Sequence, residues 1–236
     1  MAIIRPRLVD YFNIPITLYL DPFLLWKSPS QQDNALHLFL INSFNHLGYM
    51  CSKGKTAEAI DTLVNISECS EVGLGTGKTK RGLKISQKTA SEILALFNTI
   101  PTISTSGFSH FEEIQLYVNN ISKDRISDIA CNFLKSFMID FTQDECKKYN
   151  IPMRMFSGIA VYSNRTHCLE KEEIYLPFNP EDGYPIILVP KRWLRYTPWI
   201  NYEEYFDKGY VKVEEEDNLP KVKVLDYNRK NYGIGM

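Results

Sequence analysis

The chain has 236 residues, 44% hydrophobic and 23% charged, which is enough apolar material for a buried core and excludes a disordered polypeptide. Lys and Arg number 27 against 28 Asp and Glu, a net charge of -1, so no global basic field draws the protein to nucleic acid or an anionic membrane, and any such contact has to be local. The longest apolar run, Ile14 to Trp26, is interrupted by Pro15, Asp21 and Pro22 and is too short to cross a bilayer of roughly 30 Å, and the first residues lack the pattern of a secretory signal.

A soluble, cytoplasmic protein without a membrane partner is therefore expected. The cysteines (Cys51, Cys69, Cys131, Cys146 and Cys168) are odd in number and contain no C-x-x-C pair, which fits a reducing compartment better than a disulfide framework or a zinc ribbon.

In chain order, Ile14 to Trp26 reads as an extended strand entering a turn at Asp21-Pro22. Ser30 with Asp33 three residues later resembles a capping box, and Leu36, Phe39, Leu40, Phe44, Leu47 and Cys51 then recur at helical spacing. A second helix is predicted over Thr56 to Ile66. Residues 72–85 make a glycine-rich basic loop, and Ser86 caps a third helix that Pro101 closes. After a Ser/Thr-rich turn at residues 102–109, Phe111 to Asn119 is predicted helical. Ser122 then caps what the pattern makes the longest helix, its stripe formed by Ile126, Ile129, Phe133, Leu134, Phe137 and Phe141.

Beyond Pro152 the period changes to short β-rich runs at Gly158 to Tyr162, Glu173 to Leu176 and Ile186 to Val189, with Val222 to Leu225 as one further edge strand. The expected fold class is α+β: a helical N-terminal part packed with a small, mostly antiparallel C-terminal sheet, in a single domain over 1–236 that divides into 1–150 and 151–236.

The densest functional signal is Gly73 to Thr79, Gly-Leu-Gly-Thr-Gly-Lys-Thr. Its end fits a phosphate-binding loop, but Val72 stands where the first glycine belongs, the preceding residues are polar, and Gly82 breaks the helix that should follow. Lys78, Lys80, Arg81, Lys84 and Lys88 nevertheless lie within eleven residues, with no acid from Val72 to Ser91. Such a loop suits phosphate contacts without sequence reading, and it equally describes a solvated surface.

A second constellation is Asp124, Asp128 and Asn132, four apart on one helical face. With Glu112 or Glu113 they compose an oxygen-donor set for a divalent cation, while helix capping and pairing with Arg125 explain the same residues structurally. A third is Asp182 and Lys191, a restriction-nuclease-like pair in which Val189 occupies the position of the second acid. Lys191, Arg192 and Arg195 beside Trp193 and Trp199 read as a surface patch. The four histidines, 37, 46, 110 and 167, show no metal spacing, and the motifs of zinc proteases, serine hydrolases and dinucleotide-binding proteins are absent.

Leu18-Tyr19-Leu20-Asp21-Pro22-Phe23-Leu24-Leu25, Asp124-Arg125-Ile126-Ser127-Asp128-Ile129 and Ile187-Leu188-Val189-Pro190-Lys191 together resemble uncharacterised bacterial proteins found near antiviral-defence genes, over most of residues 14–195. The resemblance implies a setting and assigns no catalytic residue. The leading expectation is a cytoplasmic binding or accessory protein that contacts nucleic acid or a partner protein through residues 78–88. The alternative is a metal-dependent nuclease using Asp124, Asp128 and Glu113, for which Mg²⁺ would be the cofactor.

Overall fold

Three short strands open the chain, β1 (Ala2–Ile3), β2 (Leu8–Val9) and β3 (Pro15–Ile16), and a fourth, β4 (Tyr19–Leu20), leads into the helices. The structure, a computed structural model, describes residues 18–74, 84–118 and 121–196, and of β1 to β3 it describes the backbone pairing alone. Asp21 and Pro22 start a helix where a turn was expected. The Asp21 carboxylate accepts from the Phe23 N–H at 3.0 Å, and Pro22 occupies the first position, where a missing N–H is harmless. The result is α1 (Pro22–Trp26).

The longest described helix is α2 (Gln31–Ser52), with 22 residues. Its cap is Ser30, whose hydroxyl accepts from the Asp33 N–H at 3.4 Å. Asp33 does not complete a capping box, because its carboxylate accepts from Ser28 at 2.6 Å and from the Arg192 guanidinium in two bonds of 2.8 Å. Then come α3 (Thr56–Asn65) and, after the Ser86 cap, α4 (Gln87–Thr99). A Cβ at Gly48 would overlap the Phe97 ring, so this glycine is what lets α2 approach α4.

The Ser/Thr-rich stretch forms α5 (Pro101–Ser106), again with proline at the first position. It ends at Gly107, whose φ of 72° only glycine adopts without strain; there the Asn45 amide donates to the Phe108 carbonyl and accepts from its N–H, both at 2.9 Å. A 3₁₀ turn at Phe111–Glu113 continues into α6 (Ile114–Tyr117).

The single helix expected from Ser122 is two, α7 (Lys123–Phe133) and α8 (Lys135–Lys148), joined at Leu134, where ψ relaxes to 4°. The hydrogen-bond ladder crosses the join, from Leu134 N–H to Ala130 and from Met138 N–H to Leu134. The buried stripe is re-aimed there. Ile126, Ile129 and Phe133 are buried before it, and Met138, Ile139, Thr142 and Cys146 after it, while Phe137 and Phe141 are half-buried.

The hairpin of β5 (Arg154–Ser163) and β6 (Cys168–Leu176) is antiparallel and longer than predicted, with a register shift between Phe156 and Ile159. Two short strands follow, β7 (Val189–Pro190), paired with β1, and β8 (Leu194–Arg195), paired with β4; β2 pairs with β3, and all these pairs are antiparallel. Residues 186–188 are not strand. Ile187 donates to the Glu71 carbonyl at 3.0 Å and Leu188 to the Thr142 hydroxyl at 2.8 Å, which moors this segment to a loop and to α8. The fold is α+β, helical in its N-terminal part with small antiparallel sheets in its C-terminal part. One apolar core runs from Leu20 to Trp193 across both parts. The Phe44 ring meets Phe97, Phe108 and Phe111 there, and Tyr162 seats the hairpin edge-on against Phe133 at 4.8 Å. The Val222 to Leu225 strand and Trp199 lie outside the described residues.

Candidate functional site

Of the five clustered cations, Lys84 and Lys88 are described, and Lys78, Lys80 and Arg81 lie outside the described residues. What is described is how the basic segment is anchored. On its upstream side residues 66–72 form turns, not the strand a phosphate-binding loop requires. Asn132 on α7 holds them, its amide nitrogen donating to the carbonyls of Ile66 and Glu68 at 2.7 Å and of Asp128 at 3.2 Å.

Lys135 adds a buried ion pair to Glu71 at 3.2 Å. Burial alone would lower the Lys135 pKa, but its neighbours Cys69 and Glu71 outweigh that and raise it. On the downstream side the Ile85 N–H donates to the Ser67 hydroxyl at 2.9 Å, and Lys84 Nζ donates to Asn65 at 2.8 Å. Ser67 is fully buried and donates to Val64. The described residues that flank Lys78, Lys80 and Arg81, Ser67 before them and Ile85 after them, thus meet at one buried point. Lys88 and Glu92 are a solvated pair at 3.9 Å, and the first turn of α4 carries no acid against its helix dipole.

Asp124 and Asp128 sit one turn apart on α7, with Asp128 8% exposed. Burial, then the nearby Asp124 and Glu68 carboxylates, push the Asp128 pKa up to about 8, opposed by Arg125 and by the Cys69 N–H that its carboxylate accepts. Burial also raises Asp124. Asn132 shares their face, but the side it presents is the amide N–H, turned to three carbonyls. The acid beside Asp128 is Glu68. Glu113 instead accepts from the His110 N–H at 3.0 Å and closes the start of the 3₁₀ turn.

Asp182 accepts from the Tyr184 N–H in its turn, and Lys191 is exposed. Trp193 is fully buried, not part of a surface patch, while Arg192 and Arg195 reach Asp33 and Asp21. Among the described residues no group of three or more His, Cys, Asp and Glu is placed to hold a metal ion.

A buried polar chamber under α1 has no counterpart in the sequence patterns. His110 stacks edge-on to Trp26 at 4.4 Å and lies 5.2 Å from His37, with its Nδ1 3.8 Å from Glu112. Asp21 stands against Glu112 on one side and Arg195 on the other, at 3.4 Å. Burial, with Asp21 adding repulsion, raises Glu112 to about 8. Burial lowers His37 to about 4, and burial with the charges of His37 and Lys27 lowers His110 to about 3. At neutral pH the chamber therefore holds a protonated carboxyl and two neutral imidazoles. Glu112 Oε2 and His37 Nε2 have no hydrogen-bond partner among the described residues. Asp21 from the cap of α1, His37 from α2 and the His110–Glu112 pair from the 3₁₀ turn meet only in the assembled fold.

No helix among the described residues is long and apolar enough to cross a membrane. No curated protein matches the chain, and no solved structure matches it. Residues 8–201, from β2 to just past β8, match the family described as Domain of unknown function (DUF8370), and the chain belongs to that family.

Proposed function

We propose that this is a cytoplasmic binding protein that grips the phosphate backbone of nucleic acid through residues 78–88, in the setting of a bacterial antiviral-defence assembly. The observation that carries the reading is the buried hydrogen bond from Ile85 to Ser67, which joins the residues flanking Lys78, Lys80 and Arg81, backed by Asn132 and Lys135. Binding loops act from rigid scaffolds, and the supports of this one, Ser67, Asn132 and Lys135, are buried. The N-terminus of α4, free of acid in its first turn, adds positive potential beside Lys84 and Lys88.

The test is Lys80→Ala, Arg81→Ala and Lys84→Ala together, with binding to single- and double-stranded oligonucleotides followed by anisotropy across a salt series. Affinity should fall at least tenfold and the slope of log K against log salt should flatten by about 2–3. An unchanged affinity and slope would remove the segment from the interface.

A second reading, a Mg²⁺-dependent nuclease, is favoured by one observation: the Asp124 and Glu68 carboxyls lie near enough to Asp128 to repel its charge, a repulsion that a divalent cation would relieve. Asp128→Asn tests it. Loss of Mg²⁺-dependent cleavage with an unchanged melting temperature would make this the better reading.

A further inference from the structure

The tip of the β5–β6 hairpin, residues 164–167, is fastened to α2 by two imidazoles. The rings of His46 and His167 lie face to face, with centroids 3.5 Å apart and planes 14° from parallel. His167 reaches this position with a φ of 54°, a left-handed conformation that a non-glycine side chain rarely adopts. Its Nδ1 is 3.3 Å from the Tyr162 hydroxyl, and Tyr162 is in turn packed on Phe133 of α7. Within the hairpin the His167 N–H donates to the Ser163 carbonyl at 2.8 Å and closes the turn, while the imidazole stack ties the left-handed tip to α2; both histidines are half-buried, within reach of solvent protons.

A shared metal ion does not account for the pair. Each imidazole binds a metal in its own ring plane, and two nearly parallel planes 3.5 Å apart have no common point for an ion to occupy.

We propose that this stack is a pH-operated latch: the hairpin tip docks on α2 while at most one imidazole is charged and comes away when both are. A single proton is tolerated, because an imidazolium over an imidazole face is a cation–π contact. The second proton sets two like charges against each other at stacking distance. Burial first, and His167 second, already hold the His46 pKa below its ordinary 6.5, so its charging, and with it release, is displaced to lower pH.

The surrounding charges do not relieve this repulsion. On α2 the Tyr49 ring lies 5.8 Å from the His46 ring. On the hairpin, Glu170 accepts from Thr166 and feels Arg165, and Cys168 acts on Tyr162. On α3, which touches β6, Glu58 pairs with Lys55, and neither it nor Asp61 acts on His46.

The experiment is amide hydrogen exchange on the full chain from pH 7.5 to 5.0, corrected for the intrinsic pH dependence of exchange, comparing residues 163–168 with 159–161 and 172–174. The tip should lose protection at least tenfold on acidification while the hairpin body keeps it. His46→Phe, which keeps an aromatic face without a proton site, should leave the tip protected at every pH. His167→Asn, which tolerates the left-handed backbone but cannot stack, should leave it unprotected at every pH. Tip protection that does not respond to pH in the parent, a parent-like profile in His46→Phe, or a protected tip in His167→Asn would each overturn the latch.

Discussion

Asn132 and Lys135 lie one turn apart around the α7–α8 join and serve the same short arm, residues 66–72, by different chemistry. Asn132→Ala strips the Ile66 and Glu68 carbonyls of their donor. A loss of about 1–3 kcal/mol in urea unfolding is expected, and Asn132→Asp should cost more because it turns an acceptor toward acceptors. Lys135→Ala leaves Glu71 as an uncompensated, largely buried charge, for which about 3–5 kcal/mol is expected. The pair itself contributes less than that. Lys135→Met combined with Glu71→Gln should recover much of the loss, and a double variant no better than Lys135→Ala would show that the ion pair, and not the stranded charge, is what matters.

At the scale of elements, α7 joins parts distant in sequence: Ser127 accepts from the Leu20 N–H of β4, Asn132 holds the loop base, and Phe133 supports the hairpin through Tyr162. Phe133→Ala should destabilise by roughly 3–5 kcal/mol, read as a fall in thermal midpoint; a parent-like midpoint would take α7 out of the core. The helices were legible in the sequence because Ser30, Ser86 and Ser122 are capping residues and the apolar positions follow at helical spacing. The Leu134 break was not, since neither glycine nor proline marks it and the apolar stripe reads straight through. Asp21-Pro22 misled for a specific reason: the same dipeptide that opens a turn is also a cap followed by a first helical proline. Of the candidate sites, the basic cluster is visible as charge, but its anchor at Ser67 and the chamber of Asp21, His37, His110 and Glu112 depend on residues far apart in sequence.

For the whole molecule the buried titratable groups set the pH dependence of stability. His37 and His110, depressed to about 4 and 3, stabilise fully above 6.5 and lose that contribution as pH falls toward those values. Glu112 and Asp128, raised from 4.5 and 3.8 to about 8, stabilise fully below their ordinary values and lose that contribution as pH rises to about 8. The opposing slopes overlap in the mildly acidic range, and above it only the carboxyls act. The thermal midpoint should therefore be higher at pH 6 than at pH 8.5, and Glu112→Gln with Asp128→Asn should flatten that fall. A parent protein more stable at pH 8.5 than at pH 6 would refute the assignment of neutral carboxyls.

The Asp33–Arg192 clamp has a consequence for synthesis on the ribosome. Asp33 is fully buried in the finished protein, where burial alone would raise its pKa but bonds from Arg192 and Ser28 hold it below the ordinary value. Its partner lies 159 residues later in the chain, so at about 5–20 residues per second translation reaches it roughly 8–30 s after Asp33. Throughout that interval the head of α2 has a carboxylate that it cannot bury without its counter-charge. The nascent helical part must therefore wait, open at this corner, until the C-terminal segment emerges. Ribosome-stalled chains ending before residue 192 should be cleaved near residues 28–34 by a protease that spares the released protein.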